Sequence, residues 1–83
     1  MRTQQILARI RESLEGVYRE RLQGVVLFGS EARQSSSPES DIDILVLLDT
    51  VSDTGRELRS CIDALFDLSL ELDRRISPIP VPR

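Results

Sequence analysis

Leu27-Phe28-Gly29-Ser30 and, after ten further residues, Asp41-Ile42-Asp43 are the two segments on which the fold of this 83-residue chain turns. The first closes a short apolar run, Val25-Val26-Leu27-Phe28, which stops at Gly29 and reads as a buried strand covered on both faces. The second opens a run from Asp41 to Leu48 that alternates at first and is then wholly apolar through Leu45-Val46-Leu47-Leu48. That is the pattern of a central strand with one end open to solvent. Residues two apart in a strand share a face, so Asp41 and Asp43 should stand side by side, about 7 Å apart at Cα. Ile42 and Ile44 then point the other way, into the core. Ionised carboxylates placed so repel each other, and a divalent cation relieves the repulsion. Magnesium favours one or two carboxylates together with substrate phosphates.

Gly29 permits a sharp turn and a close backbone approach. Ser30 can cap the turn that follows, whose free N–H groups attract an anion. Each half alone is commonplace in proteins. Together, a hydroxyl and amides on one strand with carboxylates on its neighbour form a cradle for a metal-bound triphosphate. Phosphoryl chemistry needs little beyond such positioning and charge neutralisation.

Outward from these segments, Thr3 to about Leu22 reads as an amphipathic helix with Thr3 as N-cap and Gly24 past its end. Its buried stripe is Ile6, Ile10, Leu14 and Val17, widened by Leu7 and Tyr18, and its charges form a solvated face. Gly29 to Arg33 reads as a turn into a brief helix, and residues 34–40, with Ser35-Ser36-Ser37-Pro38, as a polar loop. Thr54-x-x-Glu57 reads as a capping box for a second long helix reaching Leu72. Leu58, Cys61, Ile62, Leu65, Phe66 and Leu72 are its expected buried face. Pro78 and Pro80 restrict residues 75–81 to an edge strand or an extended tail. The order helix, strand, short helix, strand, helix, strand predicts one α/β (α+β) domain over residues 1–83, a mixed sheet of about three strands packed with two long helices and one short one.

Composition narrows the chemistry. All eleven basic residues are arginine, with no lysine and no histidine. His-ligated zinc, a Ser-His-Asp triad, a Walker-A lysine and a Schiff base are therefore excluded. The net charge of −3 argues against a duplex nucleic-acid binder, which carries a basic stripe. Cys61 is alone and reads as a buried thiol. The apolar runs are too short to span a bilayer and no signal peptide is evident, so a cytoplasmic location is expected. Leu45 and Leu47 share the face of the aspartates, which suggests that a second copy, a partner or a further element covers that face.

Leu27-Phe28-Gly29-Ser30 with Asp41-Ile42-Asp43 resembles the signature of the DNA polymerase β-like nucleotidyltransferases. Gly29-Ser30-Glu31-Ala32-Arg33 and Ser40-Asp41-Ile42-Asp43-Ile44-Leu45-Val46 are similar to the minimal (MNT-type) members. The resemblance covers most of the chain and implies the polymerase β-like fold. It implies that Gly29 and Ser30 contact the triphosphate of ATP and that Asp41 and Asp43 bind magnesium and carry catalysis. Arg33 resembles the arginine that follows the Gly-Ser turn, steadying the loop or approaching a phosphate. Active members carry a third carboxylate on the strand after the second long helix, where this chain has Ser77; Glu71 and Asp73 fall at the helix end instead. Small MNT proteins resemble antitoxins paired with HEPN ribonuclease toxins, which implies AMP transfer from ATP to a toxin hydroxyl, typically a tyrosine. The alternatives are a catalytically weak or inactive module that neutralises its partner by binding and, third, a small-molecule transferase, which would need an acceptor domain not seen here. Homo-oligomerisation is open.

Overall fold

The computed structural model describes residues 2–29 and 41–83. Helix α1 (Thr3–Tyr18) runs through a 3₁₀ turn (Arg19–Arg21) into strand β1 (Leu22–Phe28). Strand β2 (Ile42–Leu48), helix α2 (Thr54–Leu72) and strand β3 (Ile76–Pro82) follow. β2 lies in the middle, antiparallel to β1 and parallel to β3, so the sheet is mixed and three-stranded as the sequence predicts. The parallel β2–α2–β3 connection carries α2 across one face of the sheet, and α1 packs beside it. The expected brief helix after Gly29 lies outside the described residues.

One core joins the two layers. Ile6, Ile10, Leu14 and Tyr18 of α1 and Cys61, Leu65 and Leu68 of α2 close over Val25, Ile42, Ile44, Val46, Leu48 and Ile76. β2 alternates perfectly between buried and half-buried positions, so its apolar second half is covered on the helix side only. Each of these aliphatic side chains contributes about 1.5–3 kcal/mol when fully removed from water.

The structure corrects several expectations. α1 ends at Tyr18, not Leu22, because Arg19 turns to a positive φ of 53° and its N–H caps Glu15. Leu22 is needed four residues later to pair with Leu48, and Gly24 sits inside β1 opposite Leu47, next to a bulge. Val17 is exposed, while Tyr18 takes the buried place. The α1 cap is Arg2, whose N–H is held by the Gln5 side chain at 2.8 Å, so Thr3 is already helical. Asp53 rather than Thr54 caps α2, accepting from the Arg56 N–H at 3.1 Å. Glu57 instead receives the Arg21 guanidinium. β1 is an edge strand with one covered face, so Val26 is exposed rather than buried. On α2, Leu58, Ile62 and Phe66 are exposed and Leu68 takes the core position. The helix has rotated its narrower Cys61–Leu65–Leu68 stripe inward, because a three-stranded sheet offers room for only part of a wide apolar face.

Candidate functional site

At one end of the sheet, register sets Phe28, Asp43 and Ser77 in a row across β1, β2 and β3. Asp43 is in the middle, half-buried, on the face away from the helices. The alternation of β2 dictates this: Ile42 and Ile44 are fully buried, so the residue between them projects oppositely. Ile42 donates its N–H to the Arg75 carbonyl at 2.8 Å, which pins the start of β2 against β3. Asp41 precedes the first strand residue and is exposed, at the open end expected from sequence.

Gly29 follows directly on Phe28 with φ +75°, in the left-handed region that favours glycine. A Cβ built there would lie 2.7 Å from Oδ2 of Asp43. The backbone of the first motif therefore passes against the carboxylate of the second, a contact that no side chain at position 29 would allow without displacing Asp43. Among the described residues, no hydrogen bond or ion pair engages Asp41 or Asp43. Ser30 and Arg33 lie outside the described residues.

Magnesium accepts a small protein donor set completed by substrate phosphates, and this site has that character. Two carboxylates stand at the strand opening with no internal cation, beside a backbone that lacks a Cβ. No group of three or more potential metal ligands occurs among the described residues. Ser77 is the β3 residue beside Asp43, so a hydroxyl stands on that strand where active relatives are expected to carry an acid. Asp73 and Glu71 do not replace it. Asp73 is the exposed C-cap of α2, and Glu71 pairs with Arg9 at 2.5 Å.

The remaining polar cluster is structural. Arg21 reaches the carboxylates of Asp49, at 3.2 Å, and Glu57, and lies 5.5 Å from the Tyr18 ring centroid. The Thr50 N–H and then Arg21 hold the Asp49 carboxyl below its usual range, and Glu57 with Asp49 pushes the Arg21 guanidinium up. Tyr18 donates to the Glu57 carbonyl at 3.2 Å and touches Cys61 Sγ at 3.3 Å. Burial, then the Cys61 contact, raises the Tyr18 phenol, and burial raises the Cys61 thiol. Cys61 is fully buried, as its position on the apolar side of α2 predicts. Sequence reasoning put Tyr18 and Cys61 on buried faces but gave no sign that they meet Arg21 and Glu57, because the members are spread from position 18 to 61.

Residues 10–78 match the family model described as polymerase beta, nucleotidyltransferase. The chain is 33% identical over 75 residues to a protein of Methanocaldococcus jannaschii named "Putative protein adenylyltransferase", across 90% of this chain and 75% of that one. The chain belongs to the polymerase β nucleotidyltransferase family. No solved structure gives a significant match. Family membership accounts for the architecture: Gly29 at the end of β1 and Asp43 near the start of β2 are what the mixed sheet brings together. No helix among the described residues is long and apolar enough to cross a membrane.

Proposed function

We propose that this chain is an ATP- and magnesium-dependent adenylyltransferase that modifies a hydroxyl on a partner protein. The observation that carries this reading is the seat of Gly29 on the Asp43 carboxylate at the open end of the central strand, with Asp41 exposed just before that strand begins. A relative named as a protein adenylyltransferase supports the substrate class. Gly29 and Ser30 would receive the triphosphate, with Arg33 steadying the loop or a phosphate. Asp41 and Asp43 would hold magnesium, which neutralises phosphate charge and the developing charge on pyrophosphate. The acceptor oxygen attacks the α-phosphorus, its proton passes to solvent, and the bond to pyrophosphate breaks in line. We assign that partner to the HEPN-type toxins, making the chain the MNT antitoxin of such a pair in the cytoplasm.

The test is transfer of labelled AMP from ATP to the co-purified partner by wild type, Asp41→Asn and Asp43→Asn. Labelling lost in both variants, with circular dichroism unchanged, is the expected outcome. Labelling that persists in the double variant would refute the assignment.

Ser77 beside Asp43 favours a second reading, a module that silences its partner by binding alone. That reading predicts that Asp41→Asn/Asp43→Asn still inhibits the partner and that inhibition needs no ATP.

A further inference from the structure

Leu58, Ile62 and Phe66 recur every fourth residue along α2 and are 37%, 47% and 56% exposed, with Leu70 at 65% continuing the line. Side chains one turn apart share a helix face, so the stripe is continuous. From Leu58 to Phe66 it runs about 12 Å at the helical rise. Together with Arg75, Ile76 and Pro78 it lines a groove of about 320 Å³ between α2 and β3.

A strand cannot readily fill that groove. Arg75 accepts from Ile42 and the Arg83 N–H donates to Leu48, so odd-numbered residues of β3 bond to β2 and even-numbered ones face outward. Pro78, Pro80 and Pro82 occupy outward positions and have no N–H to offer, which closes this edge to sheet extension. Docking there must use side chains.

Apart from Glu57 in the first turn, which pairs with Arg21, the charges on α2 are arranged against its own dipole. Arg56 and Arg59 stand in its N-terminal half, and Asp63, Asp67 and Glu71 in its C-terminal half, where the macrodipole disfavours each sign. Among the described residues, Arg59, Asp63 and Asp67 make no ion pair or hydrogen bond. At 100° per residue all three lie on the same side of the apolar stripe, Arg59 and Asp63 at about 60° and 100° from Ile62 and Asp67 farther round at about 140°. Such a helix is complementary to an antiparallel copy of itself.

We propose that two copies of this chain pair through α2, antiparallel about a two-fold axis at Ile62. About that axis Leu58 of one copy meets Phe66 of the other, and Ile62 meets Ile62, the self-complementarity that an isologous contact requires. Antiparallel packing brings the same flank of both helices together, so along the axis Arg59 falls level with the interval between Asp63 and Asp67 of the second copy, with Asp63 the nearer to the seam. Arg75 stands over the groove as a further cation for the same acidic half. The contact lies on the helix side of the sheet, away from the face that carries Asp43, and holds whatever the chain transfers.

Sedimentation equilibrium at low salt tests the pairing. One helix face per copy is at the small end of stable interfaces, so association is expected over roughly 1–500 µM, where the mass should climb from 9.4 kDa toward twice that value. Ile62→Arg sets like charges together on the axis and should weaken association at least about tenfold with unchanged circular dichroism. Arg59→Asp should weaken it, and adding Asp63→Arg and Asp67→Arg should restore it. As a check independent of those variants, Ile62→Cys should cross-link to itself on mild oxidation, whereas Phe66→Cys should not. A monomer at every concentration, association that survives Ile62→Arg, or charge reversal without restoration would each overturn the pairing. So would a different protein occupying this face of a chain that remains monomeric.

Discussion

Replacing Gly29 by alanine tests the structural heart of the candidate site. Two costs are expected. Position 29 sits at φ +75°, where an L-residue with a Cβ costs about 1–2 kcal/mol. The new Cβ would also lie 2.7 Å from Oδ2 of Asp43, closer than any relaxed contact. The Asp43 carboxylate is the end of a side chain that can swing aside, so the steric part is smaller than the backbone part but moves the very group proposed to hold magnesium. For a domain of this size, about 1–2 kcal/mol lowers Tm by roughly 4–16 °C. Urea unfolding followed by circular dichroism would measure the loss, and titration with ATP and magnesium would measure the displaced carboxylate. Asp43→Ala removes the contact and leaves the backbone cost. The two changes should therefore be non-additive by about 0.5 kcal/mol or more in a double-mutant cycle. A Gly29→Ala protein as stable as wild type would refute the positive-φ turn. Strictly additive costs would refute the contact between the two motifs.

Three further outcomes are expected. Leu65→Ala, in the core face of α2, should cost about 2–5 kcal/mol in urea unfolding, whereas Phe66→Ala beside it should change the stability of the monomer by less than about 0.5 kcal/mol. Stability should fall as pH rises above about 8.5, because Cys61 and Tyr18 keep their protons in the folded state at pH values where the unfolded chain has begun to release its own. The native state then binds more protons than the unfolded one, which gives stability a negative slope; Tyr18→Phe should remove the part of the loss above about pH 10, and thermal melts from pH 7 to 11 would show it. Ser77→Asp places a third carboxylate beside Asp43. If the binding-only reading is correct, this change should create or strengthen magnesium-dependent AMP transfer, measured with labelled ATP; no gain would count against Ser77 as the limiting feature.

The family, the order of elements and the polarity of the central strand could be read from local pattern, because each depends on residues close in sequence. Val25–Phe28 stopping at Gly29, the alternation of Asp41 to Ile44 and the prolines after Ile76 each point to a strand without reference to distant residues, although β1 begins at Leu22, three residues before its apolar run. The expected placement of Ile42 and Ile44 in the core follows from the two-residue period alone and is what the structure shows. Periodicity was less informative where the apolar face was wider than its support. Leu58, Ile62 and Phe66 fit a buried helical stripe as well as Cys61, Leu65 and Leu68 do, and which set turns inward depends on how many strands lie beneath α2. With only three strands and α1 alongside, the narrower set is covered and the wider one is left to solvent.

What the sequence by itself determined was the chemistry available: carboxylates, hydroxyls, arginines and backbone amides, without lysine or histidine, at a spacing that belongs to nucleotidyltransferases. The tertiary structure alone decided what touches what. It set Gly29 against the Asp43 carboxylate, Ser77 beside that same residue and the Tyr18–Glu57–Cys61–Arg21 cluster beneath α2. These contacts join residues from 14 to 43 positions apart, and the register of paired strands and the rotation of packed helices fix them. Both are settled by the packing of the whole core, and no short stretch of sequence encodes either one.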